Sequence, residues 1–279
     1  MAVISYANGE TKTGAIDLVD DSTQLEVATG TATQEGAISE TGGSFGFEKT
    51  GAGTLNLTGD NTYTGPTTIS AGALHLDPAS GSVLTDSDFA IANGATLSFA
   101  SGLFFADIGA LSGAGDVDLG TDLVLTSYND VGEDTVFSGS IFDQSGTDPD
   151  QGAYFIACGG GLLTLTGDSE FGGIFEVDYE GFVNIDGGSV TSDNTDQSQT
   201  IISGTLHILN GGSLTTTWIQ NARGTLIVDG EGSTATASDW TSISWVLSVE
   251  NGGVVTSEAG GYVGSTGVAA TATVSGTGS

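Results

Sequence analysis

The sequence predicts an all-β fold, a single parallel β-solenoid, and three observations carry that prediction. The aliphatic residues come in short alternating runs cut by Gly, Asn, Asp, Ser and Thr, and almost nothing reads with a helical period. Gly supplies 46 of the 279 residues, while Pro occurs only at positions 66, 78 and 149. The chain also repeats itself, and fixed-period repetition is the signature of architectures built by stacking one unit on the next.

The clearest unit is Gly51-Ala52-Gly53-Thr54-Leu55-Asn56-Leu57-Thr58-Gly59-Asp60-Asn61-Thr62-Tyr63-Thr64-Gly65-Pro66-Thr67-Thr68-Ile69-Ser70-Ala71-Gly72-Ala73-Leu74. Period-two alternation puts Leu55 and Leu57 on one face of a strand and Thr54, Asn56 and Thr58 on the other. Gly59-Asp60-Asn61 then reads as a turn, because Gly and Asn tolerate positive φ and Asp can bond nearby backbone. Ile69, Leu74 and Leu76 begin the next inward rungs once Gly72 breaks the strand. A second copy is expected 108 residues on, at Gly161-Leu162-Leu163-Thr164-Leu165-Thr166-Gly167-Asp168-Ser169-Glu170-Phe171-Gly172-Gly173. There Phe171 stands for Tyr63, both covering a corner, and Val177 stands for Ile69.

The last third follows another template. Gly204-Thr205-Leu206-His207-Ile208-Leu209-Asn210-Gly211-Gly212 returns around Leu247, Val249 and Asn251-Gly252-Gly253. Gly224 to Ser233 returns from Ala270 to Ser279. The pairs Leu206/Ile208, Leu226/Val228 and Leu247/Val249 step by 20 and 21 residues, one coil each. At about 20–25 residues per coil and about 4.8 Å between strands, the chain makes a rod of roughly a dozen turns, on the order of 60 Å long. The division read from these templates is one solenoid over 1–279, with one repeat type over 1–200 and the second over 201–279.

The 51–74 unit resembles the passenger-associated repeat of bacterial autotransporters, matching Gly-x-Gly-Thr-Leu-x-Leu-x-Gly-x-Asn-x-Tyr-x-Gly-x-Thr-x-Ile-x-x-Gly-x-Leu at every defined position. Leu25-Glu26-Val27 with Gly36 to Ser39, and Leu111 to Gly115 with Thr135 to Ile141, resemble the stretches that precede such repeats. The Asn-Gly-Gly and Val-Ser-Gly-x-Gly-Ser coils are similar to a second passenger repeat. The resemblance implies a right-handed parallel β-helix, export by a signal peptide and passage through a C-terminal outer-membrane barrel. The 161–173 copy departs from the pattern, with Ser169 for Asn, Phe171 for Tyr, and Glu180 where Gly72 would align. No set of membrane strands with aromatic girdles is legible, and the chain stops inside a repeat at Ser279, so it reads as a passenger fragment.

Composition narrows the function. Lys12, Lys49 and Arg223 stand against 35 Asp and Glu, a formal charge of −32. That field repels phosphate backbones and anionic headgroups, so nucleic acid and direct membrane insertion are excluded as partners; its plain role is solubility. Apolar residues at 38% suffice for a continuous core. Met1-Ala2-Val3-Ile4-Ser5-Tyr6 has neither a basic n-region nor an extended apolar h-region, which leaves a cytosolic protein or one whose signal peptide is absent. Cys158 is alone, so pairing says nothing of the redox compartment. It aligns with Thr50 in the repeat and is expected to be partly buried and inert.

No catalytic, cofactor-binding or metal residue is singled out. Gly167-Asp168-Ser169 resembles the surroundings of a serine nucleophile, yet it aligns with the Gly59-Asp60-Asn61 turn. His75 and His207 should point outward from flat strands, where neither serves Ser169 as a base. A polyanion-cleaving β-helix enzyme needs cations this chain lacks, and a neutral-glycan hydrolase needs one defined carboxylate pair, which 35 acids do not designate. Asp86-Ser87-Asp88, Asp148-Pro149-Asp150 and Asp193-Asn194-Thr195-Asp196 offer the hard oxygens Ca²⁺ prefers. They fit no Ca²⁺ loop spacing, and solvated loops are the plainer expectation. Zinc lacks its ligand set. Trp218, Trp240 and Trp245 would suggest sugar stacking or a partner interface if exposed, although capping turns or filling the interior is the simpler expectation.

The expected role is that of a non-enzymatic, surface-displayed adhesin or self-association module, anchored by a barrel outside this fragment. Ladders of outward Thr, Asn, Asp and Ser would bind other copies, or surface glycans and proteins, by avidity. Asp143 to Gly152 and Asp193 to Gln199 are the expected protrusions. The alternatives are a stalk presenting a functional domain elsewhere, or a secreted β-helix carbohydrate-active enzyme.

Overall fold

The computed structural model describes residues 2–81, 83–84, 86–144, 152–192, 198–264 and 270–276. All regular structure among them is β-strand. The strands stack in parallel as a β-solenoid. One ladder holds 13 strands, from Val3–Tyr6 to Thr271–Ser275. Thirteen strands make twelve coil steps, about 58 Å at the usual strand spacing.

Each coil adds a strand to a second ladder, running from Thr11–Lys12 through Thr54–Leu57 to Val254–Ser257. From Val83–Leu84 onward most coils add one to a third ladder, which ends at Gly260–Val263. Nearer the N-terminus the third side is represented by Ile16–Leu18 paired with Ile38–Glu40. In the last coils Ser213–Asn221 and Thr234–Ile243 each serve both ladders, turning the corner where the register shifts between Thr216 and Trp218.

The core is a set of inward columns, one residue per coil. On the first ladder, register places Leu25, Lys49 and Ile69 in succession, and later Leu165, Ile185, Ile208 and Val228. On the second ladder Ala32, Leu55, Leu74, Leu97 and Val117 stack. Leu55, Leu57, Leu163 and Leu165 are all buried, as alternation predicts. Fully burying such a side chain contributes about 1.5–3 kcal/mol. The 20- and 21-residue steps also hold: Leu206 pairs with Leu226, and Leu226 with Leu247.

Two local readings need correction. Gly59, Asp60 and Asn61 do not adopt positive φ. Gly59 is required by close approach, since a Cβ there would lie 2.8 Å from the Glu35 carbonyl oxygen. Asn61 serves through its side chain, whose Oδ1 accepts from the Ile38 amide of the preceding coil at 2.8 Å. Within the 51–74 unit Gly51 (77°) and Gly72 (68°) adopt positive φ, and the Asn-Gly-Gly coils do so at Asn210 (53°) with Gly211 (83°) and at Asn251 (49°) with Gly252 (93°). Two successive left-handed residues make a tight corner that Asn and Gly tolerate best.

The second copy is also out of phase. Leu55 lies on the second ladder, whereas Leu163 lies on the first and pairs with Val183. Val177 lies on the third ladder while Ile69 lies on the first. Leu-x-Leu-x-Gly satisfies any inward rung, so the motif does not say which face it occupies. The coil that carries Phe137 to Leu165 spans 28 positions (165 − 137), against 20 (67 − 47) from Phe47 to Thr67. Different coil lengths put similar local sequences at different places around the rod.

Candidate binding surface

The three outward faces differ in chemistry. On the second ladder one outward column reads Thr33, Asn56, His75, Ser98 and Asp118. Farther along it reads Thr191, Thr215, Thr236 and Thr256. Asp186 accepts from Asn210 Nδ2 and Asp229 from Asn251 Nδ2, both at 2.7 Å, tying polar side chains between coils on the first ladder. These stretches fit the expected polar ladders, although Phe142 interrupts the second-ladder column and Val136 and Phe182 are exposed on the first ladder.

The third face does not. Its outward positions include Phe105, Val124 and Tyr154 in one register column, then Gln199, Trp218 and Trp240. The adjoining column holds Ile156, Glu176, Ile201 and Gln220. Phe105 is 60% exposed, Trp218 46% and Trp240 39%. Apolar burial beside Glu176, reinforced by Asp178, raises the Glu176 carboxyl above its ordinary range. The reading of Trp218 and Trp240 as interior or turn-capping residues is therefore wrong: alternation from buried Ile219 and Thr241 forces both rings outward. Trp245 is also exposed but sits apart, on the corner before Val246–Glu250.

Near the last coils this face forms a groove of about 360 Å³ lined by Trp218, Gln220, Asp239, Trp240, Ser242 and Tyr262. Trp218 and Trp240 occupy the same register position on successive coils, and Gly260 follows them. A Cβ on Gly260 would lie 2.9 Å from Trp240 Cζ3, so the indole rests over that glycine. Tyr262 flanks it, with ring centroids 6.5 Å apart and planes at 58°. A second, wider depression of about 520 Å³ includes Tyr179, Glu180, Phe182 and Arg223.

The residues considered for chemistry are dispersed. Asp168–Glu170 is a strand rather than a turn, and Ser169 points into the core, where its Oγ accepts from the Ile141 amide at 3.1 Å. It occupies the inward column of Ile141 and Val190, not the place of Asn61. His75 and His207 do lie on outward columns; His75 Nδ1 meets Ser98 Oγ at 2.9 Å, and burial lowers the His75 pKa. Cys158 pairs with Tyr128 on the third ladder, not with the position of Thr50. It is partly buried, and burial together with Asp178, whose Oδ2 lies 3.6 Å away, pushes the thiol up to about 12. A thiol so protonated is a poor nucleophile.

Of the acidic clusters, Asp86-Ser87-Asp88 is described. Ser87 is buried and donates to the Gly65 carbonyl at 2.6 Å, and an Asp88 oxygen accepts from the Ala110 amide at 2.8 Å. Among the described residues no group of three or more His, Cys, Asp or Glu is placed to hold a metal ion. Asp148-Pro149-Asp150 and Asp193-Asn194-Thr195-Asp196, and with them most of the two expected protrusions, lie outside the described residues. At the margin of the first, Asp143 Oδ2 accepts from Ala153 N at 3.0 Å and Gly172 N at 2.7 Å.

Sequence reasoning missed two features. One is the apolar third face. Its signal was the lack of alternation in Tyr154-Phe155-Ile156-Ala157 and Thr200-Ile201-Ile202, runs apolar on both sides. The other is Lys49, which fills an inward position between Leu25 and Ile69 and is fully buried. Its ammonium lies 2.9–3.0 Å from the carbonyls of Thr50, Gly51, Gly53 and Ala71, four acceptors that share its three N–H donors. Burial draws its pKa down to about 8.

Comparison with known proteins agrees with the geometry. The family model described as Passenger-associated-transport-repeat matches residues 47–76. That span holds the Leu55–Leu74 rung pair and Lys49. The chain is 33% identical over 173 residues to "Adhesin BmaC autotransporter" of Brucella suis biovar 1 (strain 1330), which covers 60% of this chain. The chain spans about 5% of that protein's length. No solved structure gives a significant match. The transport repeat and this likeness make the chain similar to autotransporter passengers, and its parallel coils form a β-solenoid.

Proposed function

We propose that the chain is an adhesive segment of a surface-displayed autotransporter passenger. A barrel elsewhere in the longer protein holds it outside the cell. The observation that carries this reading is the repetition of outward side chains in register, one per coil, as in Thr191, Thr215, Thr236 and Thr256. A rigid column of hydroxyls at strand spacing offers the same weak contact again and again, and many coils on many copies convert weak contacts into avidity. The relative, an autotransporter named as an adhesin, supports the same role. No catalytic residue enters this reading; the rod works by contact, with other copies of itself or with glycans and proteins of a surface.

The test is display of residues 1–279 on a non-adherent cell through an unrelated outer-membrane barrel. The expected result is attachment to host cells or abiotic surfaces, or clumping of the displaying cells. Display without attachment or clumping would leave the segment as a stalk and overturn the reading.

A further inference from the structure

The third face suggests a more specific ligand. Resting on the adhesive reading above, we infer that the Trp218–Trp240–Tyr262 groove is a binding subsite for an uncharged glycan. Two indoles stand at one register position on adjacent coils, with a phenol beside the second. Aromatic surfaces of this kind suit the C–H faces of sugar rings, which combine apolar area with a hydroxylated rim. Gln220, Asp239 and Ser242 line the same groove and provide an amide, a carboxylate and a hydroxyl for that rim. The platform is built rather than incidental. Gly260 leaves room for the Trp240 ring, and both indoles keep open surface although their strands continue around the corner from the second ladder.

Charge selects the ligand. No Lys, Arg or His lines the groove, Asp239 lies within it, and the chain carries −32 overall. Sialylated, sulfated or uronic glycans would meet repulsion with no cation to offset it. A second copy of the chain would bring the same charge against this face, whereas a neutral glycan brings none.

The experiment applies the purified chain to an array of neutral and acidic glycans, with tryptophan fluorescence titration of soluble neutral hits. The variants are Trp218→Ala, Trp240→Ala, Trp240→Phe and Trp245→Ala. Neutral glycans alone should bind and perturb the emission. Trp218→Ala and Trp240→Ala should each weaken binding by about tenfold or more, Trp240→Phe should restore most of it, and Trp245→Ala should leave it unchanged. Hydrogen exchange of 213–221 and 234–243 checks that each variant retains its coils. Binding of acidic glycans only, of no glycan, or equal loss in Trp245→Ala overturns the inference. So does a dimer that Trp240→Ala dissolves, which would make a second copy the occupant. Displaying Trp240→Ala on cells separates the two levels. Adhesion that persists without neutral-glycan binding to either form sinks the subsite and keeps the adhesive reading; absence of adhesion in both forms sinks the adhesive reading.

Discussion

Phe175→Ala is expected to lower the stability of the middle coils by about 3–5 kcal/mol, the usual range for truncating a buried aromatic. Phe175 is fully buried, and its ring stacks on Phe155 of the preceding coil at 6.2 Å and 6°. Phe171 packs against it edge-on at 6.4 Å and 72°. The rings on both sides lose a partner as well as burial, and a narrow interior has little freedom to collapse into the space. In a solenoid each coil touches only its neighbours, so the damage should stay local. Hydrogen exchange should show lost protection in Tyr154–Cys158, Ile174–Val177 and Gln199–Ile202, with Val3–Tyr6 and Thr23–Val27 unchanged. Asn184→Ala, at an outward position of a neighbouring strand, should change stability by no more than about 0.5 kcal/mol. Uniform loss of protection along the rod would contradict the stacking of independent coils.

Lys49→Ala should be nearly as damaging, by about 3 kcal/mol or more, because it opens a cavity and leaves carbonyls without their donor. Lys49→Met, which fills the column without the charge, should cost less. The two forms should also part company with pH. Below about pH 8 the wild-type lysine is protonated whether folded or unfolded, so the unfavourable burial of its charge is fully present. Between about 8 and the ordinary 10.5 the unfolded chain binds the extra proton, and wild-type stability rises with pH relative to Lys49→Met. The rise should reach up to about 3 kcal/mol. Tyr6 and Tyr63, both pushed up to about 12 chiefly by burial, act in the opposite direction above pH 10. They are common to both proteins and cancel in the difference. Urea unfolding of the pair from pH 7 to 11 measures it. A flat difference would mean that the four carbonyls fully offset the burial of the ammonium.

The fold was legible because its rule is local. Alternation placed Leu55, Leu57, Leu206 and Leu226 inside, and the recurrence of Leu206, Leu226 and Leu247 gave the coil length. Which ladder a strand joins was not legible, because it depends on the summed length of every loop before it. Leu163 and Ser169 were misplaced for that reason. The binding surface was harder to read. Trp218 and Trp240 were noticed, but which way they point follows from alternation with Ile219 and Thr241, and a cluster of tryptophans does not announce its parity. Lys49 was hidden because a lysine beside Glu48 and Thr50 reads as solvated. Three of the carbonyls that make its burial possible come from its own coil, at Thr50, Gly51 and Gly53, and the fourth from Ala71 of the next coil.

Coil-on-coil stacking is tested most directly by spin-label distances along one outward column of the first ladder. Ser248 lies four coils beyond Thr164 through Asn184, His207 and Ile227. Ala90 lies three further coils toward the N-terminus. With Cys158 replaced by Ala, labels at Thr164 and Ser248 should stand about 19 Å apart, and labels at Ala90 and Ser248 about 34 Å apart, both set by coil number at about 4.8 Å per coil. Distances that do not grow with coil number, as in an antiparallel sandwich where distant segments fold back together, would contradict the solenoid and every surface derived from it.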